Sequence, residues 1–410
     1  MRFSLALAAS VIALGLPALA TATAFAQVET KPPEVPTEKP AFAGQTRAPT
    51  VKTKAAYELT TLATGLNHPW GMAVSPRGSI LVTERAGRLR VIGPDGKLGD
   101  PVSGVPEVVA SAGGGPGSSQ AGLFDVVFSP DFAADRTIFF SYFAKSPADG
   151  LLRLTVARAK LSPDNKAHSD LKVIFAAEPG YDKQLNIGGR LAFARDKTLF
   201  ISVGDRFQLM DKAQSLDNDL GKIVRINADG SIPKDNPFVG KAGARPEIWS
   251  YGVRNTEGLT LNPADGRIWE VEHGPRGGDE INRPDAAKNY GWPVITYGED
   301  YNGKPIKDGI TAKAGLEQPL YYWDPVIAPS GLVAYSGKMF PEWKGNLLVG
   351  SLKQMHVARV VLDGTKVVGE ERLFPEIGAR IRDVVEGPDG ALYLSTDEEA
   401  GKVIKVTLKK

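Results

Sequence analysis

The chain has 410 residues, of which 42% are hydrophobic and 23% charged, a composition that suits a globular protein with one large core or two medium ones. Its formal net charge is only +2, and Lys and Arg are scattered among Asp and Glu, which argues against a dedicated nucleic-acid binder. There is no cysteine, which excludes disulfides, thiolate metal sites and cysteine nucleophiles.

The first 26 residues have the pattern of a signal peptide. A positive charge near the start is followed by the apolar stretch LALAASVIALGLPALA and by a small-x-small cleavage site at residues 24–26. A membrane anchor is the alternative, but Gly15 and Pro17 interrupt the stretch, which favours export with cleavage near Ala26. We therefore expect a periplasmic or secreted protein without a membrane span.

Residues 27–56 are rich in Pro, Thr and Lys and short of large apolar side chains. Such a segment cannot bury enough apolar surface to fold by itself. The sequence therefore predicts a flexible tether here, followed by a folded domain over residues 57–410.

From Tyr57 onward one phrase returns six times. It consists of a small or acidic residue, four mostly apolar positions, a turn with Asp or Gly, and a second apolar run. Each copy predicts two antiparallel strands, and several are followed by a third run such as GKIVRINADG. The copies start 52 to 73 residues apart, at Gly71, Asp125, Gly189, Gly258, Gly331 and Asp383.

One such unit cannot cover its own faces, so the repetition predicts a six-bladed β-propeller, an all-β fold of four-stranded antiparallel blades. A two-sheet sandwich is the alternative, but the regular repetition disfavours it. Closing the ring requires YELTTLA from Tyr57 to pair with GKVIKVTL near the C-terminus, so the two ends of the domain should meet.

In a propeller the innermost strands line a central channel, so the residues just before each repeat face a shared mouth. A purely structural mouth would carry small or apolar residues at these positions. Most are polar instead: His68 and Trp70, Gln120, Asn186, Arg254 with Asn255, Ser330, and Arg380 with Arg382. A single Arg most often forms a surface salt bridge, but three Arg with Lys353 nearby would repel one another unless an anion or acidic partners balance them. A planar polycarboxylate would balance these positive charges through bidentate pairing of its carboxylates with the Arg side chains.

Two loops have open interpretations. ASAGGGPGSSQ, which ends in Gln120, is either a mobile loop over the mouth or a plain blade connection. EHGPRGGDEIN has glycines that expose carbonyls and the hard oxygens of Asp279 and Glu280, which suit calcium, although such a turn is often only a turn. His68 and His273 are weak zinc candidates because they lack spaced partners.

Six long motifs occur in a fixed order: QAGLFDVVFSPDF, GKIVRINADGSIPKDNPF, EIWSYGVRNTEGL, EHGPRGGDEINRPDAAKNYGWP, VGSLK and RIRDVVEGPDGALYLSTDE. With them the chain, from about Leu59 to Val406, resembles the soluble pyrroloquinoline-quinone-dependent aldose sugar dehydrogenases of the glucose/sorbosone dehydrogenase family. The resemblance implies a six-bladed propeller that binds the tricarboxylate quinone over the channel mouth.

The resemblance also implies residue roles. Contacts to quinone or substrate would come from Gln120, Arg254, Asn255, Lys353, Arg380 and Arg382. The backbone carbonyls of Gly274 and Pro275 would hold the calcium that polarises the quinone, and Glu280 and Tyr290 look like ligands of a second, structural calcium. Asp205 matches the acidic residue that orients the catalytic base.

The catalytic base itself is where this sequence departs from the family. In LNIGGRLAF, Asn186 stands where the family has a histidine that takes the proton of the sugar's anomeric hydroxyl as hydride moves to the quinone. An amide hydrogen-bonds a hydroxyl but cannot accept its proton near neutral pH. Loss of a general base typically costs about 10²- to 10⁴-fold in rate.

Three hypotheses follow. The first is a dehydrogenase of sugars or related alcohols in which Asp205, a neighbouring side chain or water replaces the base. The second is a module that binds quinone, calcium or carbohydrate with little turnover, and the third is a calcium-assisted lactonase on the same scaffold. The sequence leaves the substrate and the electron acceptor unidentified, and a monomer and a homodimer are both open.

Overall fold

The computed structural model describes residues 26–110 and 119–409. The predicted signal peptide up to residue 25 and residues 111–118 of the glycine-rich loop lie outside the described residues. Within the described ranges, no helix is long and apolar enough to span a membrane.

The described chain consists almost entirely of short strands, joined by Gly-, Asp- and Pro-containing turns. The described ranges contain one short α-helix, α1 (Phe132–Asp135), and three 3₁₀ turns, at Met210–Gln214, Pro341–Trp343 and Pro375–Ile377. In chain order the strands are β1 (Tyr57–Leu66), β2 (Pro69–Val74), β3 (Ile80–Glu84), β4 (Arg88–Ile92), β5 (Leu123–Phe128), β6 (Thr137–Lys145), β7 (Leu152–Leu161), β8 (His168–Ala176), β9 (Gly188–Phe193), β10 (Leu199–Val203), β11 (Lys222–Ile226), β12 (Ile248–Tyr251), β13 (Thr256–Asn262), β14 (Arg267–Glu272), β15 (Asp279–Asn282), β16 (Tyr321–Trp323), β17 (Pro329–Ala334), β18 (Leu347–Ser351), β19 (Val357–Asp363), β20 (Lys366–Leu373), β21 (Ile381–Glu386), β22 (Leu392–Thr396) and β23 (Gly401–Leu408).

These strands form six antiparallel sheets, which confirms the predicted six-bladed β-propeller. Five sheets have four strands, and the first blade has β2, β3 and β4 with an isolated bridge from Ile92 to Leu98 at its outer edge. The inner strands β2, β5, β9, β13, β17 and β21 contact one another in that order, and β21 contacts β2 to complete the ring. Each of the six repeat starts lies in an inner strand.

The ring is closed by the two ends of the domain, as the sequence predicts. β1 adds to the outer edge of the sixth blade and pairs antiparallel with β23, with Tyr57 opposite Leu408. The first strand of the domain therefore belongs to the same sheet as the last.

At two places around the ring, a Gly repeat start stands next to an Asp repeat start, and this pairing has a packing cause. A Cβ atom on Gly71 would lie 2.6 Å from Oδ1 of Asp125 in the next inner strand, and a Cβ on Gly331 would collide with Asp383 in the same way. Glycine in one blade thus makes room for the carboxylate of its neighbour where the inner strands converge.

Apolar side chains fill the gaps between blades. Phe139 and Ile201 belong to one cluster between the second and third blades, and Trp269 and Val349 to another between the fourth and fifth. All four are at most 1% exposed. Each such side chain contributes about 1.5 to 3 kcal/mol on burial, so the blades hold one another in place and fix the channel mouth.

Residues 26–56, called the N-terminal segment below, differ from the flexible tether expected from composition. They lie against the fourth and fifth blades: Thr50 forms a parallel bridge with Glu370, and Asp324 accepts hydrogen bonds from the backbone N–H groups of Glu34 (2.6 Å) and Val35 (3.1 Å). Composition measures only the apolar surface that a segment can bury. Here, backbone groups and carboxylates find fixed polar partners on the propeller instead.

Candidate active site

The residues before the first strand of each blade and the residues after its second strand meet at one end of the channel. Because the first two strands of each blade are antiparallel, the residues before the first strand lie beside those after the second. In the third blade Gly188 at the start of β9 pairs with Val203 at the end of β10, which brings Asn186 next to Asp205. The mouth is therefore built from both sets.

The Asn186 side chain is held by Asp205. Its Nδ2 donates to Oδ1 of Asp205 at 2.9 Å, and that carboxylate also accepts hydrogen bonds from the backbone N–H of Phe207 (2.7 Å) and from Nε1 of Trp292 (2.8 Å). Burial raises the pKa of Asp205, while the charge of Arg254 and these three donors act in the opposite direction. Both carboxylate oxygens are occupied and the residue is 0% exposed, so Asp205 is not placed to take a proton directly from a substrate.

The backbone at Asn186 is left-handed, with φ of 45°. Asn and His adopt this conformation more readily than most residues, and His68, just before the first inner strand, has φ of 44°. The N–H of Asn186 donates to Oε1 of Gln120 at 2.7 Å. The local backbone is thus compatible with either an amide or an imidazole at this position.

Arg254 and Asn255 link the third and fourth blades. Nη1 of Arg254 donates to the carbonyl of His273 at 3.0 Å, and the guanidinium lies 5.4 Å from the Trp292 ring centroid. Asn255 accepts the N–H of Gly188 at 3.0 Å and donates to Glu257 at 3.0 Å. Both residues lie directly beside the Asn186–Asp205 pair, as the sequence predicts.

Arg380 and Arg382 surround an acid that sequence reasoning missed. Asp397 accepts from Arg382 at 3.0 Å and Arg380 at 3.1 Å, and its other oxygen lies 2.8 Å from Nδ1 of His68. Burial alone would raise the pKa of Asp397, but Arg382, His68 and Arg380 hold it below its ordinary value. Arg382 also pairs with Glu257 at 3.1 Å, so acidic partners already relieve much of the repulsion expected among these cations.

Lys353 lies beside this group, because Arg380 donates to the carbonyl of the preceding Leu352 at 3.3 Å. Its ammonium points to the N-terminal segment and forms a 2.7 Å ion pair with Glu34. The structure therefore places five of the six residues that the resemblance assigns to quinone or substrate contact around the mouth, whereas Lys353 lies at its edge with its ammonium on Glu34.

Two other predicted mouth residues belong to the wall. Trp70 lies 4.1 Å beneath the guanidinium of Arg190, which forms a 2.9 Å ion pair with Asp383, and Ser330 donates its hydroxyl to the carbonyl of Ile381 at 2.7 Å. Arg190 is 3% exposed and lies within the ring of inner strands. This charged cluster closes the channel below the mouth, which is therefore a cleft open on one side.

Two backbone carbonyls fit the expected calcium beside the mouth. Among the described residues, no donor lies within hydrogen-bond distance of the carbonyl oxygens of Gly274 and Pro275, while the N–H of Gly274 donates to Asp279 at 2.9 Å. Calcium takes such carbonyl oxygens together with water. Over the described ranges, no cluster of three or more His, Asp or Glu is arranged for a metal. The protein would therefore hold a cation here with backbone oxygens rather than with a cluster of side chains.

The expected second calcium ligands are only partly available. The hydroxyl of Tyr290 donates to the carbonyl of Arg283 and accepts from the backbone N–H of Asp285, whereas its backbone oxygen accepts no hydrogen bond from the described residues and could take a cation. Glu280 is 9% exposed, and burial together with the neighbouring Glu272 raises its pKa well above the usual range. Two buried oxygens in this part of the blade, Oε1 of Glu270 and Oδ1 of Asn282, have no hydrogen-bond partner within the described part of the chain, which fits a cation site.

Sequence reasoning missed four residues of the mouth: Arg85, Glu257, Trp292 and Asp397. Two of them follow the second strand of their blade directly, as His273 does, so the same repeat pattern contained the signal. Burial lowers the pKa of Arg85, as do the nearby charges of Arg382 and Arg380, which places a further guanidinium at this end of the channel.

Comparison with known proteins gives a consistent picture. The family model for glucose/sorbosone dehydrogenase matches residues 66–405. The chain is 42% identical to aldose sugar dehydrogenase YliI of Escherichia coli K12, over 86% of this chain and 93% of that protein. The apo crystal structure of the soluble E. coli aldose sugar dehydrogenase superposes with a TM-score of 0.81 at 41% identity, over 86% and 100% of the two chains. The PQQ-bound aldose sugar dehydrogenase of Streptomyces coelicolor superposes with a TM-score of 0.69 at 25% identity, over 87% and 100%.

Proposed function

Because the chain belongs to the glucose/sorbosone dehydrogenase family, we propose that it is a pyrroloquinoline-quinone-dependent oxidoreductase that oxidises aldose sugars or related alcohols to lactones at the channel mouth. The observation that carries the proposal is that Arg254, Arg380 and Arg382 lie at one blind cleft with Lys353 at its edge, beside two carbonyls that have no donor among the described residues. A cleft of this kind suits a flat tricarboxylate with a bound cation.

The cations retain free capacity for an anion even though acids accompany them. A guanidinium has five N–H donors, and Asp397 and Glu257 use one each of those on Arg382, whose buried Nε has no partner among the residues that the structure describes. Arg380 is partly exposed and shares the same acid. We assign Arg380, Arg382 and Lys353 to the cofactor carboxylates, and Gly274 and Pro275 to its calcium.

When bound, the quinone supplies the hydride acceptor, and calcium increases its electrophilicity. The chain's own contribution begins at Asn186. Since its Nδ2 donates to Asp205, its carbonyl oxygen is left to accept a hydrogen bond from the substrate hydroxyl. This positions the hydroxyl without removing its proton.

The proton itself must go elsewhere. Asp205 is buried and already accepts three hydrogen bonds, so we assign the proton to water at the mouth rather than to a side chain. A reaction without a positioned general base is slower by about 10²- to 10⁴-fold. The proposal therefore predicts a functional but slow dehydrogenase.

Turnover tests this assignment. The purified protein is loaded with the quinone and calcium, and reduction of an artificial dye is followed over a panel of aldoses and simple alcohols. Slow, quinone-dependent reduction with at least one aldose is the expected result. Quinone binding without turnover would support the binding-module hypothesis, and lactone hydrolysis without quinone binding would support the lactonase.

A further inference from the structure

The N-terminal segment reaches the cofactor-binding side of the mouth through Glu34. Oε1 of this carboxylate lies 2.7 Å from Nζ of Lys353. Its other oxygen accepts the backbone N–H groups of Gly277 and Val326, both at 3.2 Å. Burial alone would raise the pKa of Glu34, but Lys353 and these donors hold it below its ordinary value, so the carboxylate is ionised at neutral pH.

The segment is fixed on both sides of this contact, because Arg47 donates to the carbonyl of Lys31 before it at 2.9 Å and the backbone after it is anchored as well. The backbone N–H groups of Glu34 and Val35 donate to the Asp324 carboxylate, and Val35 is 5% exposed. Arg47 donates to the carbonyl of Asp324 at 2.9 Å. Glu34 is therefore held in place by its surroundings, and its contact with Lys353 does not depend on a freely moving side chain.

From this geometry we infer that Glu34 is an affinity-determining residue of the mouth, an internal carboxylate that competes with the cofactor carboxylates for Lys353. The inference rests on the proposed function, in which Lys353 binds the quinone. A cofactor carboxylate that takes this ammonium must displace Glu34 or share the lysine with it. The segment thereby weakens cofactor binding and makes it more sensitive to salt than the mouth alone would be.

The expected size of the effect is modest. The Lys353 side chain is 50% exposed, and ion pairs at exposed positions are weak. Removing the competing charge should therefore tighten quinone binding by about two- to fivefold.

The test compares quinone affinity in the full-length mature protein with calcium present, using fluorescence quenching by pyrroloquinoline quinone. Glu34→Gln keeps the shape of the side chain and removes its charge, so it should bind the quinone more tightly than the parent. Glu38→Gln removes one charge from the same segment at a residue without an ion pair among the described residues, and it should bind like the parent. In a Lys353→Met background, Glu34→Gln should have no effect. Unchanged or weaker binding by Glu34→Gln would overturn the inference.

A second readout does not depend on the quinone. Acetylation of lysines by a limiting reagent, followed residue by residue by mass spectrometry, should modify Lys353 several-fold faster in Glu34→Gln than in the parent or in Glu38→Gln. Equal rates would mean that Glu34 does not hold Lys353, and the inference would fail whatever the quinone does. If labelling is faster but no variant binds quinone, the Glu34–Lys353 ion pair is supported and the proposed function is rejected. The proposed competition between Glu34 and the quinone then fails with it.

Discussion

Under the proposed function, Asn186 limits the rate of oxidation. Held by Asp205, its amide can position a substrate hydroxyl but cannot accept the proton of that hydroxyl. The position could be identified from the motif LNIGGRLAF alone. The hydrogen bonds that Phe207 and Trp292 donate to Asp205 could not be predicted in this way. Trp292 lies 87 residues further along the chain and reaches Asp205 only in the folded protein.

Asn186→His should restore a general base. An imidazole here donates Nδ1–H to Asp205 and leaves Nε2 to accept the substrate proton, and the backbone φ of 45° accommodates histidine. We expect kcat for dye reduction to rise by about 10²-fold or more, with a smaller change in KM. The control is Asn165→His, which introduces histidine at a left-handed turn of the second blade, with φ of 59°. If both variants match the parent, another group already serves as base.

The charges of the mouth were predictable only in part. The repeat pattern placed Arg254, Arg380 and Arg382 together, because propeller geometry brings equivalent positions to one end of the channel. It did not predict that Asp397 and Glu257 would neutralise them, because Glu257 reaches Arg382 from another blade and Asp397 lies after the second strand of the sixth blade rather than before the first. Residue types at repeat positions indicate where a site lies, and ion pairing decides its net charge.

At the scale of single elements, the N-terminal segment and β20 show the limit of composition. The segment's N–H and C=O groups pair with β20 around Glu370, whose N–H donates to Pro49 at 2.9 Å. Strand alternation predicted most blade strands, because each has one face in an apolar gap. A segment held mainly by polar contacts has no such periodicity, so the sequence predicted a tether.

Glu370 also predicts a pH dependence. Burial raises its pKa to about 7, against the hydrogen bonds from Tyr321 and Trp323, whereas in the unfolded chain it titrates near its ordinary value. The folded protein therefore keeps a proton that the unfolded chain has released, and the stability present below about pH 4.5 is lost as pH rises through about 7. Relative to Glu370→Gln, the parent should lose up to about 3 kcal/mol of unfolding free energy between pH 5 and pH 8.

Urea unfolding at the two pH values measures this difference. Glu107→Gln removes an exposed charge, and its pH dependence should follow that of the parent. A Glu370→Gln variant whose stability changes with pH as steeply as the parent's would mean that this carboxyl does not titrate as its burial indicates.

At the scale of the whole molecule, ring closure was the most secure prediction. The number of repeats, their turns and the apolar character of YELTTLA and GKVIKVTL sufficed to pair β1 with β23. The sequence could not predict that Arg190 would close the channel with Asp383 and Trp70, because that depends on how six inner strands converge.

Lys405→Pro tests the closure. Lys405 lies in β23 between Thr60 of β1 and Tyr393 of β22, so proline removes a ladder hydrogen bond inside the closing sheet. We expect a loss of about 3 kcal/mol in unfolding free energy, within one cooperative transition, by calorimetry. Lys405→Ala, which loses the ion pair with Asp389 and the contact of the ammonium with the Tyr393 ring, should cost only about 1 kcal/mol. If the two variants unfold at the same temperature, the pairing that closes the ring contributes little to the stability of the protein.

The central claim is that the mouth binds a tricarboxylate quinone together with calcium, and titration calorimetry of the cofactor-free protein with pyrroloquinoline quinone tests it most directly. The account predicts one quinone per chain in the presence of calcium. It also predicts binding at least tenfold weaker with a chelator, or in Arg382→Gln, whose fold is checked by circular dichroism. Absence of binding in the presence of calcium, or binding that neither the chelator nor Arg382→Gln changes, would contradict it.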